Sequence, residues 1–217
     1  RQVIDLFHPD IIHFNNINFQ LTPSVILAGA ERNIPMVQTV HDLQMLCPNH
    51  MMMEFGTWKL CEECSGEKCK MACVRKKCIH GSRAKSLIGA IEGTVYTISH
   101  VYDRVARYIC PSRFIEEKLL SVPRYAGKTT MIHNFLSKTA EIDVPKGDYV
   151  LYFGRLSEEK GIDRILAACR LLPEIPFVIA GGGPLEELCR TCDLPNVRFV
   201  GFKTGRELQE LVAAARF

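Results

Sequence analysis

Residues 149–161, YVLYFGRLSEEKG, decide how this chain reads. The apolar run from Tyr149 to Phe153 breaks at Gly154 into a polar turn, and a second glycine, Gly161, opens a helical pattern. Strand, turn and helix in that order bring backbone N–H groups and a helix N-terminus to one point, where negative charge is favoured. Arg155 and Lys160 add two cations to the same turn. The stretch reads as a phosphate or carboxylate site at the carboxyl end of a parallel strand. Spacing alone fits an ordinary strand-to-helix loop with solvated charges equally well.

The residues on either side repeat that alternation. Downstream, Ile162, Ile165, Leu166, Cys169 and Leu172 fall on one helix face, and Phe177 to Ala180 is a strand running into Gly181-Gly182-Gly183-Pro184. A helix over Glu186 to Thr191, a strand over Val197 to Val200 and a helix carrying Leu208, Leu211, Val212 and Ala215 complete this half. Upstream, strands are expected over Ile11 to Phe14, Met36 to Val40, Val105 to Cys110 and Thr129 to Ile132. Thr22-Pro23 starts a helix that Asn33 ends, and Pro111-Ser112 starts one carrying Ile115, Leu119 and Leu120. Leu87, Ile88, Ile91, Val95 and Ile98 recur at helical spacing and predict an amphipathic helix. Strands alternating with helices over short connections predict parallel sheets covered by helices. The domain reading is an α/β unit over 1–136, a polar linker over 137–147 (SKTAEIDVPKG) and a second α/β unit over 148–217.

At 47% apolar and 24% charged, the 217-residue composition is that of an ordinary globular protein. No run of about 18 apolar residues is present to span a membrane, and the opening RQVIDLFHPD has no apolar stretch of the secretory-signal kind. A net charge of +3 gives no footprint for nucleic acid. Arg1 opens the sequence, and LQELVAAARF closes it without a helix-stop signal, so both ends read as cuts through a longer protein.

The segment 46–81 breaks the pattern. Apolar periodicity vanishes, and six of the ten cysteines appear there: Cys47, Cys61, Cys64, Cys69, Cys73 and Cys78. It reads as an insertion and not as a core element. From Cys61 the spacing is C-x2-C-x4-C-x3-C-x4-C, and Thr57 to Ser86 holds eight Lys and Arg against three Glu. Short spacings let soft thiolates converge on a tetrahedral ion, so Cys61, Cys64, Cys69, Cys73 and Cys78 are candidate ligands of a structural zinc. The nearby cations should lower the thiol pKa values. Free thiols, an iron–sulfur cluster and a disulfide-stapled loop all stay open. Cys110 and Cys169 sit on apolar faces and read as core, while Cys189-Arg-Thr-Cys192 is a weak redox motif. His41-Asp42 follows a strand directly, at the sheet edge where ligands of α/β proteins sit; a structural histidine fits the same position.

FGRLSEEKGID (153–163), FVIAGGGPLEEL (177–188) and VRFVGFKTGRELQELVAAA (197–215) together resemble the donor half of glycosyltransferase family 4. DIIHFNNINFQLTPSVILAGAERNIPMVQTVHDLQMLCPNH (10–50) is similar to the later part of that family's acceptor domain, and ICPSRFIEEKLL and MIHNF match the approach to its interdomain linker. The resemblance implies the GT-B arrangement of two Rossmann-like parallel-sheet domains, both incomplete, with the cysteine-rich insertion in the first. It implies a retaining transferase that moves a hexose from a nucleoside-diphosphate sugar to a glycan or lipid-linked acceptor. By the same match Arg155 and Lys160 would grip the pyrophosphate, Gly154 and Gly161 would keep the backbone near it, and Gly182, Gly183 and Phe202 would lie near the nucleoside. His41 would position donor or acceptor. No cofactor is required for transfer on this reading.

The chain departs from the family in three ways. Nothing supplies the N-terminal glycine-rich loop, and the sequence stops before the paired-glutamate E-x7-E element, so a catalytically inactive fragment is the alternative. Asn15 stands where many relatives carry histidine. The cysteine insertion recurs in one subset only, which leaves a structural metal and an acceptor lid both open. A GT-B epimerase or phosphorylase shares the architecture. The expected location is cytoplasmic; the positive charge around the cysteine segment would suit peripheral association with the inner face of an anionic membrane or a lipid diphosphate acceptor, and suits a solvated basic face better.

Overall fold

Val37 pairs with Arg107, about seventy residues later in the chain, and this pairing sets the plan of the first half. A computed structural model describes residues 1–17, 21–66, 69–136 and 142–217, which fall into the units Arg1–Phe135 and Leu136–Phe217. Of the expected linker, residues 137–141 lie outside the described residues.

In the first unit the order is α1 (Gln2–Phe7), β1 (Ile12–Phe14), α2 (Ser24–Ala30), β2 (Met36–Thr39), α3 (Met71–Arg75), α4 (Arg83–Ile98), β3 (Arg107–Cys110), α5 (Arg113–Leu120) and β4 (Thr129–Met131). The four strands form one parallel sheet in the order β1-β2-β3-β4. Asn33 takes the left-handed conformation after α2, as its place in the sequence predicts. Ser112 caps α5 by accepting from the Ile115 amide at 3.4 Å. Tyr108 lies at the centre of the core, its ring edge-on to Tyr125 at 5.3 Å and its hydroxyl donating to the Tyr102 carbonyl.

The second unit runs β5 (Val150–Phe153), α6 (Ile162–Leu171), β6 (Phe177–Ala180), α7 (Glu186–Arg190), β7 (Val197–Gly201) and α8 (Gly205–Ala214). Its parallel sheet has the order β5-β6-β7, so β6 is central, and all four β6 residues are buried. Leu156, Ile162, Leu166, Ile179 and Cys189 make its core. The Asn196 side-chain amide donates at 2.9 Å to the carbonyls of Cys169 and Leu172, tying the end of α6 to the turn before β7.

Two expectations fail. The 46–81 segment is part of the packing: Leu46, Cys47 and Met52 belong to the main core of the first unit, and Cys64, Cys73, Cys78 and Ala90 form a second buried cluster. The segment fills the inner side of α4, and that decides how α4 is turned. Ser86, Ala90 and Thr97 are its buried residues, while Leu87, Ile88, Ile91, Val95 and Ile98 face solvent. The apolar stripe that sequence periodicity assigns to a core is therefore the outer face. Among the described residues no helix is long and apolar enough to cross a membrane.

Candidate active site

In the second unit the loops leaving β5, β6 and β7 are laced together through their backbones. Gly154 N–H donates to the Ala180 carbonyl at 3.1 Å, Leu156 N–H to Gly182 at 3.0 Å, and Gly181 N–H to Gly201 at 2.9 Å. The approach is closer than any side chain allows: a Cβ on Gly183 would meet the Leu156 carbonyl oxygen at 2.5 Å. Leu156 is fully buried beneath these loops and anchors them. Gly154, Arg155, Lys160, Gly161, Gly182, Gly183 and Phe202 thus share one sheet edge, the carboxyl end where α/β proteins hold ligands.

The electrostatics of that edge favour an anion. Gly161 sits in the left-handed conformation (φ 71°) as the N-cap of α6 and provides no side-chain cap, so the first-turn amides of the helix are open to a ligand. Arg155 and Lys160 are exposed, and neither makes an ion pair or side-chain hydrogen bond among the described residues. Ser157, almost fully buried, donates from its hydroxyl to Glu159 at 2.5 Å. That bond holds the Glu159 carboxyl below its ordinary pKa despite some desolvation, with Arg155 and Lys160 adding smaller pulls the same way. Phe202 is exposed, with its Cβ 3.9 Å from the position a Cβ on Gly182 would take.

In the first unit Asn15, Asn16, Ile17, Gln38, His41 and Asp42 meet at the ends of β1 and β2 around a polar depression too shallow to enclose a water molecule. His41 Nε2 lies 3.3 Å from Asn15 Oδ1, the Asn16 amide donates to Asp42 at 3.4 Å, and Asp42 also accepts from the Gln44 N–H at 3.1 Å. His41 is exposed. Sequence reasoning passed over Gln38. Its side chain is 5% exposed, and its Oε1 has no hydrogen-bond partner among the described residues. The signal was present in the alternation of β2, where Gln38 takes the inward position between Met36 and Val40.

The candidate metal ligands divide. Cys64, Cys73 and Cys78 pack together, whereas Cys69 is exposed and outside that cluster. Cys61 is half-buried and accepts from Lys76 Nζ at 3.5 Å, and Cys47, absent from the expected ligand set, is buried nearby. Burial pushes the Cys47 thiol up to about 11 and the Cys73 thiol up to about 12, opposite to the lowering expected from the cations. The reason is geometric. Lys76 is taken up by Glu54 and Glu63, and Lys70 Nζ donates to the Cys64 carbonyl at 2.6 Å. Among the described residues no three His, Cys, Asp or Glu side chains are grouped so as to hold a metal ion. All ten cysteines are free thiols; Cys110 and Cys169 are buried, and Cys192 donates to the Cys189 carbonyl at 3.2 Å.

The chain is similar to known proteins in family and in fold. A family described as Glycosyltransferase Family 4 matches residues 1–138, and one described as Glycosyl transferases group 1 matches residues 138–217. No curated protein matches the chain. Among solved structures, HepE of Anabaena in complex with UDP superposes with a TM-score of 0.57 at 18% identity, over 99% of this chain and 54% of its own. The chain thus spans about half the length of that protein, and at this identity the likeness is one of fold.

Proposed function

Since the chain belongs to Glycosyltransferase Family 4, whose match takes in well over half of its residues, we propose that it takes part in transferring a hexose from a nucleoside-diphosphate sugar to a hydroxyl of a glycan or lipid-linked acceptor, with retention at the anomeric carbon. The observation that carries this reading is the anion-ready edge of the second sheet: laced glycine loops, open amides at the start of α6, and the cations Arg155 and Lys160, which have no ion pair among the described residues.

Transfer breaks the bond between the anomeric carbon and the diphosphate oxygen and forms a bond to the acceptor oxygen on the same face of the sugar. The acceptor's proton passes to the departing phosphate oxygen. Negative charge grows on the diphosphate as the bond breaks, and preorganised donors aimed at that charge lower the barrier. Arg155 and Lys160 serve as those donors together with the α6 amides, Gly182 and Gly183 admit the nucleoside, and Phe202 packs against it. His41 positions a sugar hydroxyl at the polar depression of the first unit. HepE was solved with UDP, which makes uracil the first base to try.

Calorimetric titration with UDP, ADP and GDP tests the reading. Binding of a nucleoside diphosphate is expected, weakened about ten- to a hundred-fold by Arg155→Ala or Lys160→Ala, the range for a hydrogen bond to a charged group. Affinity unchanged in both variants would remove the pyrophosphate assignment.

A further inference from the structure

Arg155 stands on a peptide that is held from both sides. Its carbonyl oxygen accepts from the Tyr152 hydroxyl at 3.0 Å. The N–H of the same peptide unit, that of Leu156, donates to the Gly182 carbonyl at 3.0 Å. One residue back, the Gly154 N–H donates to the Ala180 carbonyl at 3.1 Å, and one residue on, the Leu156 carbonyl accepts from the Leu185 N–H at 2.9 Å. Three of these four bonds are made by backbone alone, and the fourth needs the Tyr152 hydroxyl. Tyr152 lies on β5 with its ring half-buried against the core of the second unit, which fixes where the hydroxyl sits. Gly154 leaves room for it, since a Cβ there would lie 3.3 Å from the hydroxyl oxygen.

We propose that Tyr152 is a positioning residue for the diphosphate, its hydroxyl acting through the 155–156 peptide to present Arg155 before a ligand arrives. The inference rests on the pyrophosphate reading of Arg155 and adds to it a group that does not touch the ligand. A peptide plane pinned at both its C=O and its N–H cannot turn. The ψ of Arg155 and the φ of Leu156 are thereby set, and with them the direction of the Arg155 Cα–Cβ bond. Donors stabilise a growing charge without reorganisation only when they are held in place beforehand. A fixed base also lowers the conformational entropy that the exposed Arg155 side chain loses on binding. The hydroxyl proton has a second effect, because it occupies a carbonyl lone pair that would otherwise add negative charge beside Arg155. Lys160 is held differently: its N–H donates to the Ser157 carbonyl at 3.1 Å, within its own turn. The two cations are therefore expected to respond differently to loss of the Tyr152 hydroxyl.

The test is a double-mutant cycle on the full chain, read by calorimetric titration with UDP. Tyr152→Phe keeps the ring and its packing and removes only the hydroxyl. It is expected to weaken UDP about three- to ten-fold, the range for one neutral hydrogen bond. In an Arg155→Ala background the same change should have no further effect, whereas in a Lys160→Ala background it should keep its full factor. A hydroxyl with a merely structural role would lower affinity alike in both backgrounds. A second measurement needs no variant: in the wild-type protein the Leu156 amide should be protected from hydrogen exchange before UDP is added. Three results would overturn the proposal: UDP affinity unchanged in Tyr152→Phe, an equal loss in the Arg155→Ala background, or a Leu156 amide that exchanges as an open loop until UDP binds. Each of these leaves the pyrophosphate reading standing. A wild-type chain that binds no UDP removes that reading, and the role of Tyr152 with it.

Discussion

The Cβ that Gly181 lacks would lie 1.9 Å from the carbonyl oxygen of Gly154. No side-chain rotation relieves that contact, because both atoms are fixed by backbone. The φ of Gly181, +149°, is also one that L-residues rarely adopt. Gly181→Ala is therefore expected to destabilise the second unit by about 2–4 kcal/mol, as substitutions that force a strained backbone do. Urea unfolding followed at tyrosines of that unit checks the value. A loss below about 0.5 kcal/mol, within the range of a neutral surface change, would mean that the lacing is loose in solution.

Gln38 holds a buried amide oxygen with no partner among the described residues, on a strand flanked by two others. An unsatisfied buried acceptor costs about 1–3 kcal/mol, and a leucine of similar volume removes it. Gln38→Leu should raise the thermal midpoint by a few degrees, corresponding to about 1 kcal/mol. A lower midpoint would show that the amide is satisfied in solution and ties the end of β2 in place.

The buried thiols set a pH dependence whose sign follows from proton binding. Cys47 is raised from 9.0 to about 11 and Cys73 from 9.0 to about 12, mainly by desolvation. Between the unfolded and folded values the native state keeps protons that the unfolded chain has lost. Stability is thus full below the unfolded pKa and declines as pH rises above it toward the folded values, with a limiting slope of about 1.4 kcal/mol per pH unit for each thiol. Denaturant midpoints under reducing conditions should fall between pH 8 and pH 10. The double variant Cys47→Ser/Cys73→Ser should flatten that fall; an equally steep profile would assign it to other groups.

Thiol accessibility divides the cysteines. Cys69 is exposed, Cys61 and Cys192 are half-exposed, and the other seven are buried. Brief treatment of native protein with iodoacetamide, read by peptide mass spectrometry, should label Cys69 first and leave Cys64, Cys73 and Cys78 unmodified until denaturant is added. Labelling of Cys73 at the rate of Cys69 would mean that the second cluster of the first unit opens readily.

The sheets were legible because their strands are short apolar runs closed by turn residues. Phe177–Ala180 lies where the run FVIA and the following glycines put it, and Asn33 takes the left-handed conformation that its tolerance predicts in the turn after α2. The glycine loops at the edge of the second sheet were legible for the same reason, since glycine positions in one loop carry their geometry locally. What periodicity could not give was direction. Leu87, Ile88, Ile91, Val95 and Ile98 mark one face of α4 correctly, but which face turns inward depends on Gly89 and Gly93 meeting Ile79 and Lys70, contacts made by a segment with no periodicity of its own. The thiols were misjudged in the same way. Their pKa values follow from burial, and burial depends on where the 46–81 segment packs.

The pairing of Val37 with Arg107 bears on how the two units acquire their structure. In the second unit neighbouring strands are separated by short α/β connections, with Val150 against Phe177 and Phe177 against Val197. In the first unit the β2–β3 contact closes a loop containing the entire cysteine segment and α4. The chain-entropy penalty of loop closure rises with length, and non-local pairing slows folding. Refolding from denaturant should accordingly be biphasic, with the second unit forming first and the unit that carries the cysteine segment and the outer stripe of α4 arriving late. During that interval the seven reduced cysteines of the first unit and an apolar helix are exposed together, so a reducing environment and dilute chain are the conditions under which this architecture is reached without cross-linking.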